Sequence, residues 1–216
     1  MSKQPIIIAG SGGHAVSTAD LAISVGFSPV MFVDANSNRT EIHGIPVLPD
    51  FDSLSKDTSH SCALAIGDNY QRMRVLETIK VSHPKLDFPT LIHKDTTIGS
   101  WCAIEKGSLI FPGSRIGANC RIGQFTIVNT SATLDHDSIL EDFASLAPGV
   151  TTGGKVWIGS FSAVGLGATV KHGVKIQTHT IIGAASNVLK DFEGYGVVYG
   201  NPAEWVRGRQ IGDPYL

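Results

Sequence analysis

An aliphatic side chain recurs at every sixth residue through the second half of this chain, without a slip in phase. The series runs Ile92, Ile98, Ile104, Ile110, Ile116, Ile122, Val128, Leu134, Leu140 and Leu146. It meets Thr152 and resumes at Ile158, Val164, Val170, Ile176, Ile182 and Val188. Four residues after each position as far as Ile182 stands a small or short side chain, among them Cys102, Ser108, Ser114, Cys120, Ser138 and Ser186. A six-residue unit suits a short strand and a turn, and three such units close an 18-residue triangular coil. The aliphatic residues then point into a prism, and glycines such as Gly99, Gly117 and Gly159 tolerate its tight corners. Stacked coils pair as parallel strands, and the span from Ile92 to Val188 makes between five and six of them. A helix would need apolar residues at three- and four-residue spacing, which this stretch lacks.

Composition narrows the remaining classes. The chain has 216 residues, 42% hydrophobic and 17% charged, so disorder is not expected. Lys and Arg number 17 against 19 Asp and Glu, a formal charge of −2 that gives no basic face for nucleic acid. The early apolar run Ile6 to Ala9 is too short for a signal peptide or a membrane span, so a cytoplasmic protein is expected. Three cysteines make neither a disulfide framework nor a CxxC pair. Cys102 and Cys120, at equivalent places in successive coils, are expected to face the prism interior as free thiols.

The first part of the chain reads differently. Gln4 to Ala9 is an apolar strand, followed by Gly10-Ser11-Gly12-Gly13-His14-Ala15 and a helix over about 16–25. A second strand, Val30 to Val33, ends at Asp34. A third, Ser61 to Ile66, leads into Gly67-Asp68-Asn69 and a helix over about 70–82. Strand, glycine-rich turn, helix, strand and acid make a Rossmann-like start. The glycines let backbone N–H groups approach a diphosphate at the helix N-terminus, and Asp34 can accept from a ribose hydroxyl or a base. A tight structural turn would read the same way. A segment this short holds too few strands for a free-standing dinucleotide domain, so a nucleotide carrying one sugar is the expected ligand. The expected division is residues 1–88, a nucleotide-sugar-binding domain, and residues 89–216, a β-helix.

The repeat resembles the hexapeptide-repeat acyltransferases, whose parallel β-helices are left-handed and associate as trimers. The exit Gly200-Asn201-Pro202-Ala203 is similar to theirs. Gly10-Ser11-Gly12-Gly13-His14, the strand ending at Asp34, Ala65-Ile66-Gly67-Asp68-Asn69 and the block Asn129 to Asp137 resemble the sialic-acid O-acetyltransferase-like group. Within it, the chain most resembles the enzymes that N-acetylate UDP-linked 4-amino-4,6-dideoxy sugars of the bacillosamine pathway. This implies an α/β Rossmann-like domain before an all-β left-handed β-helix, acetyl-CoA as co-substrate and no metal. It further implies a homotrimer with sites between subunits. Sugar O-acetylation is the neighbouring alternative.

Of eight histidines, His136 stands between Asp135 and Asp137. Acyl transfer from a thioester to an amine needs a base with a pKa near working pH, and a carboxylate on its far nitrogen to fix the tautomer. By resemblance His136 is the base and Asp137, commonly Glu in the family, the orienting acid, with Asp135 as the other candidate. An N–H of Gly153-Gly154 suits the developing oxyanion, although the pair also reads as a sharp turn. Thr152 breaks the beat beside it. The resemblance places acetyl-CoA against Ser145, Gly154, Leu166 and Ala184, with Ser145 where the family often has histidine. It places the sugar nucleotide against Gly12, Gly13, His14, Asp34, Asn36 and Gly67, and the sugar against Asn129. A β-helical zinc carbonic anhydrase would continue His136 and His172 with a third histidine, where Gln177 stands before His179. A non-catalytic trimer is the remaining class.

Overall fold

The computed structural model describes residues 4–52, 54 and 60–215. The chain divides into two compact units, Met1–Leu91 and Ile92–Leu216.

The first unit runs β1 (Gln4–Ala9), α1 (Gly13–Ser24), β2 (Phe27–Val33), β3 (Glu41–Ile42), β4 (Ile45–Leu48), β5 (Ser61–Leu64) and α2 (Asn69–Ser82). Its sheet has the order β3-β4-β2-β1-β5. Neighbours are parallel except β3 with β4. Ile6, Ile7 and Ile8 of β1 are completely buried, as expected for a central parallel strand covered on both faces. Helix α1 starts earlier than expected, at Gly13. Gly12, in extended conformation, supplies the carbonyl that receives the N–H groups of Ala15 and Val16. The third expected strand ends at Leu64, short of Ile66, because its partner β1 ends at the paired Ala9; beyond it the Ile66 and Gly67 carbonyls accept from the Arg72 guanidinium at 2.7 and 3.2 Å. The β3–β4 hairpin is an addition to the expected elements. It turns at His43-Gly44, both in the left-handed region.

In the second unit a two-residue strand ends at each beat position from Ile92 to Val188. The strands form three parallel faces. The first contains those ending at Ile92, Ile110, Val128, Leu146, Val164 and Ile182. The second contains those ending at Ile98, Ile116, Leu134, Thr152, Val170 and Val188, and the third those ending at Ile104, Ile122, Leu140, Ile158 and Ile176. Each strand pairs with its equivalent on the next coil, as in Ile116 opposite Leu134 and Ile122 opposite Leu140. The beat residues form one continuous core. Each fully buried aliphatic side chain contributes roughly 1.5–3 kcal/mol. Three parallel faces wound in successive 18-residue coils make a β-solenoid, as the six-residue beat requires.

The small residues at the corners have a second task. Buried Ser108, Ser114 and Ser162 donate to the carbonyls of Gly123, Asn129 and Gln177 on the next coil, at 2.8, 3.0 and 2.7 Å. Cys102 and Cys120 do the same with Gly117 and Asp135 at 3.0 and 3.1 Å. Each of these five interior groups is thus matched to a corner carbonyl that the strand ladder leaves over. Along the corner between the third and first faces, Phe125, Phe143, Phe161, His179 and Tyr195 stack in one column, with the Phe161 and His179 ring centroids 4.7 Å apart. A hairpin, Gly196–Gly200 with Ala203–Gly208, leaves the prism through Asn201-Pro202.

Candidate active site

His136 and Asp137 lie on the corner between the second and third faces. Asp137 has a left-handed φ of 58°, a conformation that Asp adopts more readily than most residues. Its Oδ2 is 2.8 Å from His136 Nδ1. An ionised carboxylate requires a donor there, so Nδ1 carries a proton, and in the neutral ring Nε2 is then the nitrogen with the lone pair. Asp135 is placed otherwise. Its Oδ1 accepts the His136 backbone N–H at 2.8 Å, and its Oδ2 is 4.0 Å from Nε2, beyond hydrogen-bond range. About half of the His136 side chain is exposed.

The neighbouring coils hold this corner from both sides. Below, a Cβ on Gly117 would collide with the His136 backbone nitrogen, so only glycine lets the coil sit so close. Above, a Cβ on Gly154 would meet His136 Cε1 and Nε2 at 2.5 Å, so the ring occupies the volume that Gly154 leaves open. Two coils from His136, the His172 ring lies 6.3 Å away across that gap. Thr152 explains its own break in the beat. Elsewhere on this face the N–H after the beat residue bonds a backbone carbonyl, as Gly117 does to Leu134 and Gly153 to Val170. The Asp135 N–H instead bonds Thr152 Oγ1 at 3.1 Å. The Gly153 N–H is committed to the Val170 carbonyl, which leaves the N–H of Gly154 as the candidate donor of the glycine pair.

One partner lay hidden in the sequence. Asn119 Nδ2 donates to Asp137 Oδ1 at 2.7 Å. Stepping one coil back from Asp137 is the signal that would have found it. That hydrogen bond, followed by the one from His136, holds the Asp137 carboxyl below the usual carboxylate range.

The other expected residues fall into separate groups. Leu166 and Ala184, one coil apart, share the corner between the first and second faces with Asn129. Ser145 begins the first-face strand that leads to this corner. Asn129 Oδ1 accepts the Thr130 N–H at 2.8 Å. His172 and His136 share a corner, whereas Gln177 and His179 sit on another, where His179 is stacked between Phe161 and Tyr195. Among the described residues, no group of three or more His, Cys, Asp or Glu side chains could hold a metal ion.

In the first unit, Gly12, Gly13, His14, Asp34, Asn36 and Gly67 gather near the C-terminal ends of β1, β2 and β5, where open α/β sheets bind ligands. A cavity of about 550 Å³ there is lined by Gly10, Asp34, Asn36, Phe51 and Gln71. Gly12, Gly13, His14 and Gly67 stand outside its lining. Asp34 is already engaged. Its Oδ2 accepts the Ser11 N–H at 3.0 Å and the Ser11 hydroxyl at 2.6 Å, and its Oδ1 accepts the Asn36 N–H at 3.0 Å. The carboxylate therefore braces the glycine-rich turn from the end of a neighbouring strand. Burial, reinforced by the Arg72 charge, holds the His14 pKa down at about 4, so its imidazole is neutral at pH 7. Burial likewise pushes the Cys62 thiol up to about 12, which removes it as a nucleophile. Among the described residues, no helix is long and apolar enough to cross a membrane.

Residues 5–79 match the PglD N-terminal domain family. The acetyltransferase domain of PglB from Neisseria gonorrhoeae FA1090 is similar over 94% of this chain and 100% of its own, at 27% identity and a TM-score of 0.86. PerB from Caulobacter crescentus, solved in complex with CoA and GDP-perosamine, is similar at 28% identity and a TM-score of 0.87. That match covers 94% of this chain and 97% of PerB. WeeI from Acinetobacter baumannii AYE, at 24% identity and a TM-score of 0.86, shares the fold over 94% of this chain and 100% of its own. The chain is built as an acetyltransferase of the left-handed β-helix class, and its first unit matches the PglD N-terminal domain.

Proposed function

We propose that the protein transfers the acetyl group of acetyl-CoA to the amine of a nucleotide-linked 4-amino-4,6-dideoxy sugar, UDP-linked and of the bacillosamine type. The observation that carries this reading is the 2.8 Å contact of His136 Nδ1 with Asp137 Oδ2, which leaves Nε2 as a base on an open corner. The neutral amine attacks the thioester carbonyl directly, and its proton passes to Nε2. The Gly154 N–H faces the developing oxyanion. Collapse of the tetrahedral intermediate breaks the C–S bond, and the imidazolium proton goes to the departing thiolate, giving the amide and CoA. Asp137 stabilises the imidazolium in between. Ser145, Leu166 and Ala184 contact acetyl-CoA. Gly12, Gly13, His14, Asn36 and Gly67 hold the nucleotide, with Asp34 keeping the turn in shape, and Asn129 contacts the sugar. Complexes with acetyl coenzyme A and with GDP-perosamine in the similar proteins support both ligand classes. The half-exposed base supports a homotrimer in which an adjacent subunit completes each site.

The test offers acetyl-CoA with UDP-, dTDP-, GDP- and CMP-linked sugars, each with an amine or a hydroxyl at C4, and follows products by mass spectrometry. Addition of one acetyl group to the UDP-linked amine is the expected result. Acetylation of the hydroxyl sugars in preference to the amines would overturn the N-acetyl assignment, and preference for another base would overturn the UDP assignment.

A further inference from the structure

We propose that Asn119 is a positioning residue for this reaction, acting through Asp137 to hold His136 in the tautomer that accepts a proton at Nε2. The inference rests on the assignment of His136 as the base. A carboxylate that accepts one hydrogen bond from an imidazole can still turn about its Cβ–Cγ bond and exchange its two oxygens. A second donor on the other oxygen removes that freedom. Asn119 supplies it, with Nδ2 at 2.7 Å from Oδ1 while His136 Nδ1 stands at 2.8 Å from Oδ2. The two hydrogen bonds fix the carboxylate plane from opposite ends.

The backbone prepares this contact. Asn119 and Asp137 occupy the same corner on successive coils, with left-handed φ values of 60° and 58°. The Asn119 N–H is tied to the Ser100 carbonyl at 2.9 Å and the Asp137 N–H to the Ala118 carbonyl at 3.0 Å. Their side chains therefore leave the prism in parallel, one coil apart, before either reaches the other. The amide orientation follows from chemistry, since only its NH₂ end can face an ionised oxygen. Donation by Asn119 also favours the ionised form of Asp137, which keeps the shared proton on the imidazole. Asp137 is one methylene shorter than the Glu common in the resembling family, and a short acid on a fixed corner needs an external support of this kind.

The test uses substitutions compatible with the left-handed corner, where Ala would add strain of its own. Asn119→Gly removes the amide and keeps the backbone. Asn119→Asp keeps the shape and replaces the donor by a charge. Two readouts are combined. Nitrogen NMR of the free protein at neutral pH reports which His136 nitrogen is protonated and needs no substrate. Steady-state kinetics then places Asn119→Gly and Asp137→Asn in a double-mutant cycle. We expect Asn119→Gly to reduce the Nδ1-protonated fraction and lower kcat about tenfold, with the KM for acetyl-CoA unchanged. Added to Asp137→Asn it should cost nothing more, because the residue it acts through has already lost its charge. Asn119→Asp should move the acid limb of the pH–rate profile upward by favouring the imidazolium, with Asp135, Lys155 and His172 around the ring left as they are. An unchanged tautomer in Asn119→Gly, or an equal loss of kcat with and without the Asp137 charge, would overturn the proposal. Because the tautomer is read without substrate, the two failures are distinguishable: a chain that acetylates none of the sugars offered refutes the functional reading, whereas an unchanged tautomer in Asn119→Gly refutes the role of Asn119.

Discussion

The two units place their polar side chains by different rules. In the β-helix a residue's surroundings follow from its position in the coil, so partners distant in sequence are found one coil away: Asn119 below Asp137, Gly154 above His136. In the first unit partners come from separate strand ends. Asp34 at the end of β2 reaches Ser11 after β1, and Arg72 reaches the loop after β5. The contrast teaches where to look for chemistry. In a periodic wall the informative residues are those that depart from the period. In the sheet they are those that follow the strands.

The contrast breaks or sharpens under substitution. His136→Ala should lower kcat by ~10²–10⁴-fold, the usual range for a general base, while nucleotide binding by the first unit, measured by calorimetry with UDP, stays unchanged. Loss of both together would erase the division. Gly154→Ala should lower kcat by on the order of 10²-fold, because a Cβ must displace the ring that fills its place and small misplacements are costly. A wild-type rate in that variant would show that the ring has room to move.

The third prediction concerns the first unit and acid. The His14 pKa is held at about 4 against an ordinary value of 6.5, so the unfolded chain binds more protons there between those values. Stability attributable to His14 should therefore be intact above pH 6.5 and fall by up to about 3 kcal/mol as pH drops toward 4. Urea unfolding of wild type and His14→Gln across that window checks it. Parallel curves would remove His14 as the source. The smallest effect is expected from Thr152→Val, which restores the aliphatic beat. It should leave the Tm unchanged or raised and lower kcat by ~3–10-fold, as the Asp135 N–H loses its acceptor beside the base. A variant that is both less stable and fully active would reverse the idea that this break in the beat serves the site.

How much could be read in advance follows the same divide. Every strand of the prism was legible, because one aliphatic side chain per six residues is a signal repeated over the whole span. Thr152 was legible as an exception, but not the Asp135 N–H that it receives, since that contact exists only once coils are stacked. The β3–β4 hairpin was not legible because Glu41–Ile42 is too short to show a pattern. Asp34 was correctly placed at a strand end. That its carboxylate already serves Ser11 and Asn36 depends on how β1 and β2 lie together, which no local pattern records.

The strict register also bears on how such a chain can diverge. One residue inserted and carried through the strands would turn every later aliphatic side chain from inside to outside, so an odd insertion has to be looped outward at a corner. Six would preserve inside and outside but rotate the remaining coils by a face, parting Asn119 from Asp137. Within the wall itself, only a whole coil can be added or lost without moving the corners out of line. Substitution at outward positions carries no such penalty. The inward beat can therefore hold one architecture while most of the surface changes, which fits similar proteins that are only 27% and 28% identical yet match over 94% of this chain.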